Sequence, residues 1–129
     1  MQFFIDRDTL LKPLQMVSGA IERRHTLPIL SNVLLDVTSE RLSLTGTDLE
    51  IELVAAVALT QVQTPGRVTI PAKKLLDICR SLPEGSPLHI SLQGDNCIVS
   101  TGKSKFTLST LSASDYPNLE SWQGEVEFD

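Results

Sequence analysis

The chain has 129 residues, 41% hydrophobic and 21% charged, which suits one compact domain burying roughly two thirds of its unfolded surface. No apolar run approaches the roughly 20 residues of a bilayer-crossing helix, and the opening MQFFIDRD has neither the basic start nor the long apolar stretch of a secretory signal, so a cytoplasmic chain is expected. The net charge of −5 is unevenly spread: five acids and no bases lie from Asp115 onward, so the preceding body is neutral and compatible with a local basic face.

In chain order, Gln2 to Ile5 reads as a strand. Thr9 to Gly19 reads as a helix whose apolar face is Leu10, Leu11, Leu14 and Val17, with Asp8 as N-cap and Gly19 as stop. Pro13 cannot donate the backbone bond expected beyond the first turn, which predicts either a late helix start or a local kink. Strands rich in β-branched or alternating apolar residues follow at Ser31 to Thr38, Leu42 to Thr47, Ile51 to Leu59 and Arg67 to Ile70, with Gly46 and Pro65-Gly66 as turn formers. A second helix spans Ala72 to Leu82. Its apolar face is Leu75, Leu76, Cys79 and Leu82, Pro71 stands at its start, Pro83-Glu84-Gly85 end it, and Lys73, Asp77 and Arg80 fall on the opposite face. Three more strands come at Leu88 to Leu92, Cys97 to Thr101 and Lys105 to Thr110, with Gly94-Asp95-Asn96 turning between the first two.

An internal repeat organises these elements. A shift of 65 positions lays Leu10 on Leu75, Leu11 on Leu76, Leu14 on Cys79 and Val17 on Leu82. A shift of 55 lays Leu42 on Cys97, Leu44 on Val99, Ile51 on Phe106 and Leu53 on Leu108, the difference being absorbed by Ala20 to Leu30. Each half then reads strand, helix and three strands, which implies a pseudo-twofold α+β domain with two helices packed on strands. The competing reading is a chance match of amphipathic patterns. Glu125-Val126-Glu127-Phe128-Asp129 resembles the opening residues, either as the start of another copy or as a closing edge strand.

Catalysis finds little support. There is no GxSxG, Walker, GxGxxG or HExxH motif, and His25 and His89 are far apart in sequence. Cys79 and Cys97 lack CxxC spacing, so neither a zinc site nor a disulfide scaffold is expected and no cofactor is implied. Asp48, Glu50 and Glu52 alternate and would share one strand face, attractive to a divalent ion but more simply a solvated face, with Leu49, Ile51 and Leu53 turned the other way. Basic residues are more suggestive. Arg23-Arg24-His25 follows the first helix, and Lys73, Lys74 and Arg80 lie on or beside the polar face of the second. A twofold arrangement brings these together with Arg7 and Lys12 on one surface suited to phosphates, although any single charge is also explained as a solvated surface residue. The four Phe, one Tyr and one Trp offer few platforms for unpaired bases, which favours a duplex backbone. In the strand Lys103 to Thr110, Lys103 and Lys105 take one side and Phe106 and Leu108 the other. At a sheet edge it would accept a strand from another subunit, sealed by Phe106 and Leu108; otherwise both fill the domain's own core.

The stretches LLKPLQMVSG, TLPIL, LSLTGTDLE, PAKKLLDICRSLPEG and STLSASDYPNL, in this fixed order, resemble the N-terminal domain of bacterial sliding clamps, the β subunits of DNA polymerase III. The resemblance implies an α+β DNA clamp fold: two helices packed on two antiparallel sheets with an internal pseudo-twofold repeat. It implies residues 1–124 as the first of three domains and 125–129 as the start of a truncated second. It further implies a head-to-tail homodimeric ring around duplex DNA, non-catalytic, that slides by sequence-independent phosphate contacts and tethers the replicative polymerase. On the matching positions, Arg24, Lys73 and Arg80, with Arg7 and Lys12, face the DNA; Lys73 stands where the family can have Arg. Phe106 and Leu108 form the apolar contact of the subunit joint, with Lys74, Lys103 and Lys105 facing acids across it. Asn96 departs from an Arg that the pattern can carry there, which puts one interfacial ion pair in doubt. The peptide pocket for polymerase and clamp loader would lie between later domains. The rival reading is a free-standing interaction module that binds a partner through the Phe106 edge strand.

Overall fold

The computed structural model describes residues 1–21 and 28–117, together with the backbone of 126–128. The elements are β1 (Gln2–Asp6), α1 (Arg7–Ser18), a short helical turn Pro28–Ser31, β2 (Asn32–Val37), β3 (Arg41–Thr47), β4 (Glu52–Ala58), β5 (Gln61–Thr64) and β6 (Gly66–Pro71). Then come α2 (Ala72–Ser81), β7 (Pro87–Gln93), β8 (Asn96–Thr101), β9 (Ser104–Ser109), a helical turn Ala113–Asp115, and β10 (Val126–Phe128).

Two five-stranded sheets have the orders β5-β1-β7-β8-β9 and β10-β4-β3-β2-β6. The two halves exchange their first strands: β1 joins the meander of the second half, and β6 joins that of the first. The registers agree with the repeat, since Phe3 pairs with Ile90 and Val68 with Leu35, so both partners of one pair map onto those of the other. The pairings are antiparallel except β10 on β4, which is parallel.

The offset of 55 holds along β2–β3 and β7–β8 but fails on the last strands. Gly46 pairs with Leu53 where the equivalent Thr101 pairs with Ser104, so the β8–β9 turn is shorter and Ala55 and Val57, not Ile51 and Leu53, match Phe106 and Leu108. Helix α1 starts neither late nor at Asp8. Its N-cap is Asp6, and Pro13 sits inside it, fully within the buried face with Leu10, Leu14 and Val17, at the cost of one backbone bond to the preceding turn. Leu11 and Leu82 are only half-buried, packed at the margin of the core. The strand β5, QVQT, carries too little apolar signal to be read from sequence and pairs with β1 through Val62 and its neighbours.

One continuous core lies between sheets and helices, with Phe3, Leu10, Leu14, Leu35, Leu42, Leu44, Ile70, Leu75, Leu88 and Ile90 fully buried. Helix α1 packs on β3 and β4, α2 on β2 and β6, and the helices pack on each other. Gly46 is not a turn residue but an interior position of β3. A β-carbon there would stand 2.4 Å from the Val17 carbonyl oxygen, so glycine is what lets α1 sit this close to the sheet. A second lock joins the sheets. The Thr69 amide and carbonyl pair with Leu111 at 3.2 and 3.1 Å, and the Thr69 hydroxyl accepts from Asn32 Nδ2 and donates to the Leu111 carbonyl at 2.8 Å.

Candidate nucleic-acid interface and subunit joint

The helices place the basic residues. On α1 the exposed positions Asp8, Lys12, Gln15 and Gly19 form one stripe, because three- and four-residue steps return to the same face. On α2, Lys73, Asp77 and Arg80 form the matching exposed stripe opposite the buried Leu75, Leu76 and Cys79. Between the two stripes runs an open groove of about 870 Å³ lined by Gln15, Ser18, Lys73, Asp77 and Arg80. Lys73 and Arg80 make no ion pair with Asp77 among the described residues. Their ammonium and guanidinium therefore remain available at the groove, and Arg80 also suits the negative end of the α2 dipole.

Arg7 has a different employment. Its Nε donates to the Cys79 carbonyl at 2.7 Å and its Nη1 to Asp8 Oδ1 at 2.8 Å, with the side chain only 16% exposed. Asp8, rather than capping its own helix, accepts from the Gly85 amide at 3.0 Å, and the Arg7 amide donates to Ser86 at 2.8 Å. This pair of residues fastens the start of α1 to the end of α2, holding the two stripes in register. Arg24, with Arg23 and His25, lies outside the described residues.

The residues expected at the joint divide in the same way. β9 is an edge strand, with Lys105 exposed on one side and Phe106 and Leu108 on the other. Leu108 is only 5% exposed and belongs to the domain's core, whereas Phe106 is half-buried at its margin. Of the two, Phe106 is the one that keeps apolar surface at the sheet edge. Lys103 stands exposed at the two-residue turn next to Gly102, whose φ of +53° suits the first position of a tight hairpin. Lys74 is exposed on α2, and Asn96 is exposed where β8 pairs with Ser109.

Asp48, Glu50 and Glu52 do not share a strand face. Asp48 opens the β3–β4 turn, where its Oδ1 accepts from the Glu50 and Ile51 amides at 2.9 and 2.8 Å, and Leu49 and Ile51 are exposed rather than turned inward. Among the described residues no group of three or more His, Cys, Asp or Glu side chains is placed to hold a metal ion. His89 stacks on Phe4 with ring centroids 4.5 Å apart and meets Gln2 at 3.1 Å, which gives it a structural setting on the face of β1 and β7. Burial pushes the Cys79 and Cys97 thiols up to about 11, the nearby Arg7 and Arg80 charges only partly opposing this at Cys79. Sequence reasoning missed the Arg7–Cys79 contact and the Asp8–Gly85 contact, because both join segments far apart in the chain.

The sequence model of the family described as DNA polymerase III beta subunit, N-terminal domain, matches residues 1–120. The chain belongs to this family. It is 57% identical over 128 residues to the beta sliding clamp of Salmonella typhimurium and 53% identical to that of Pseudomonas aeruginosa, in both cases across 99% of this chain and 35% of the relative. Its fold matches the crystal structure of a Pseudomonas aeruginosa sliding clamp bound to griselimycin with a TM-score of 0.91, at 53% identity, over 98% of this chain and 34% of that one. The sliding clamp of Caulobacter crescentus matches at TM-score 0.89 and 41% identity, over 94% of this chain and 33% of that one. The chain thus spans about a third of the length of the clamp subunits it matches.

Proposed function

We propose that this chain is the first domain of a processivity clamp: one sixth of a homodimeric ring that encircles duplex DNA, slides on it through sequence-blind phosphate contacts and tethers a replicative polymerase. In this reading residues 1–124 form the domain, and 125–129 begin the next one. Family membership supports it, and so does the placement of Lys73 and Arg80 on the exposed face of α2, both lining the groove between the helices; Lys12, exposed on α1, joins that surface in this reading. That placement is the observation that carries the reading. Lys and Arg on a helical layer can face phosphates while the excess of acids over the whole chain discourages tight adhesion.

The domain acts in this reading without catalysis, as wall and as joint. In this reading its Phe106 edge, with Lys103 and Lys105 beside it, meets the partner subunit together with Lys74 of α2, Phe106 seating in an apolar site and the lysines facing acids. Polymerase and clamp loader dock on the remainder of the subunit. No helix among the described residues is long and apolar enough to cross a membrane. As a replication clamp the protein would work in the cytoplasm, where a bacterial chromosome is copied.

The test uses the full-length subunit. Lys73→Ala with Arg80→Ala should weaken sequence-independent DNA binding at low salt and flatten the dependence of log affinity on log salt by about 0.9 for each phosphate contact removed. Arg24→Ala should act in the same direction. An unchanged salt slope in the double variant would take the α2 face out of the DNA-binding surface.

A further inference from the structure

The groove between the helices has two unlike walls. Lys73 and Arg80 on α2 carry its cations, with Asp77 between them, whereas α1 and its C-cap line it with Gln15, Ser18 and Gly19, none of them charged. The internal repeat sharpens the contrast. The shift of 65 that lays Leu10 on Leu75 and Leu14 on Cys79 also lays Gln15 on Arg80, so a neutral amide holds the place whose twofold mate is a guanidinium.

Of the three, Gln15 is the one with a side-chain donor to spare. The Ser18 hydroxyl already donates to the Leu14 carbonyl at 2.7 Å, and Gly19 has no side chain. Gln15 is exposed and makes no hydrogen bond among the described residues. The helix that carries it is held at both ends. Arg7 and Asp8 fasten its start to the end of α2, and Gly46 lets its last turn sit close on β3. The amide is therefore presented to the groove from a seated helix.

An amide and a cation act differently on a phosphate. A cation displaces a condensed counterion and attracts at a distance, so its contribution falls with salt. An amide N–H donates one directional bond at contact and displaces no counterion. We propose that Gln15 is a further phosphate contact of the groove, donating from Nε2 to a backbone oxygen of duplex DNA while Lys73 and Arg80 supply the charge. The inference rests on the clamp reading and deepens it: one wall of the groove attracts the duplex and the other orients it. A neutral contact on α1 fixes where the strand lies without adding to the salt-dependent grip that a sliding surface must keep low.

The test measures binding of the full-length subunit to open duplex DNA across a salt series. Gln15→Ala should weaken binding about two- to tenfold, the worth of one hydrogen bond. It should do so equally at every salt concentration, leaving the slope of log affinity against log salt unchanged, and with the thermal midpoint of the parent. Gln15→Lys should instead steepen that slope by about 0.9, because a counterion is then displaced. Lys73→Ala with Arg80→Ala, measured alongside, separates the two claims. A flattened slope in that double variant, with Gln15→Ala at parental affinity, would overturn the Gln15 contact and leave the clamp reading standing. An unchanged slope in the double variant would take the groove off the duplex, and the Gln15 contact with it. A slope flattened by Gln15→Ala itself would also overturn the proposal, since an amide displaces no counterion, and so would a lowered midpoint, since the side chain would then be serving the fold.

Discussion

Substituting Gly46 by alanine probes how the helical face is seated. The added β-carbon would lie 2.4 Å from the Val17 carbonyl oxygen, 3.1 Å from its carbon and 3.2 Å from Ile21 Cγ1, against about 3.5–4.0 Å for an unstrained carbon contact. The obstacle is backbone at the C-terminal end of α1 and cannot rotate away as a side-chain tip would. Either α1 lifts or β3 bends, and both lie in the core. Overpacking typically costs about 1–3 kcal/mol, and a backbone clash places this case at about 2–3 kcal/mol. With an unfolding entropy of about 2.1 cal/mol/K per residue, the chain loses about 7–11 °C in thermal midpoint. Circular dichroism melts and urea titrations of Gly46→Ala measure this. Gly19→Ala is the control. Gly19 has φ −63° and its β-carbon would meet only the Met16 carbonyl oxygen, at 3.2 Å, so a change within about 0.5 kcal/mol is expected as reduced unfolded-state entropy offsets the tight contact. A loss below about 0.5 kcal/mol for Gly46→Ala would refute the close approach of α1 to β3, because an overpacked backbone contact cannot be that cheap.

Other consequences are measurable on the same chain. Leu108→Ala should cost about 2–4 kcal/mol in a urea titration, as for a buried leucine, with Phe106→Ala costing clearly less; the reverse order would place Leu108 outside the core. Arg7→Ala should lower stability by about 1–2 kcal/mol through loss of the charge-assisted bond to the Cys79 carbonyl, and Arg7→Lys should not restore it, since a lysine cannot hold that carbonyl and Asp8 as a planar fork does; full rescue by lysine would reduce Arg7 to a generic charge. The thiols of Cys79 and Cys97 are raised by burial to about 11. Their stabilising contribution is complete below the unfolded thiol range and lost as pH rises from about 9 through 11, because the unfolded chain ionises first. Urea midpoints should fall over that window, and less so in Cys79→Ala with Cys97→Ala; equal slopes would exclude the thiols as the cause.

Much of the fold was legible because the signals that specify it are local. The 3.6-residue spacing of Leu10, Leu14 and Val17, and of Leu75 and Cys79, sets the helices. The alternation in Val33, Leu35 and Val37, or Leu88 and Ile90, sets strands buried on one face. The repeat survived at the level of register, with Phe3 opposite Ile90 and Val68 opposite Leu35. The misreadings share a physical cause. Gly46 looks like a turn because glycine's usual use is conformational, whereas here it answers a helix arriving from elsewhere in the chain. Asp48 to Ile51 look like strand because their polarity alternates, but alternation does not show that Thr47 and Asp48 side chains will capture the amides and turn the chain. Extending the 55-residue offset into β4 failed because hairpin turns of different length shift everything beyond them. In the candidate site, exposed Lys73 and Arg80 followed from helical phase alone. The internal roles of Arg7 and Leu108 did not, since they depend on what tertiary packing brings next to them.

The charge of the helical groove bears on how a clamp would work. Its α2 side offers Lys73 and Arg80, but Asp77 stands between them and cancels about half of what they present. At about 6 Å in water one unit charge is worth about 0.7 kcal/mol, roughly a threefold change in binding. A surface built to grip DNA would gain from losing that carboxylate; a surface that must release each phosphate as it passes would not. On the proposed reading Asp77 keeps the wall weakly attractive, so that retention comes from ring closure and mobility from shallow contacts. Asp77→Asn in the full-length subunit should therefore bind open duplex about threefold more tightly at low salt. The gain should vanish near 1 M salt, where the screening length falls to about 3 Å. Diffusion of the loaded ring along DNA should slow in proportion. If diffusion is unchanged while affinity rises, the α2 groove does not face the duplex during sliding, and the phosphates are met by other parts of the ring.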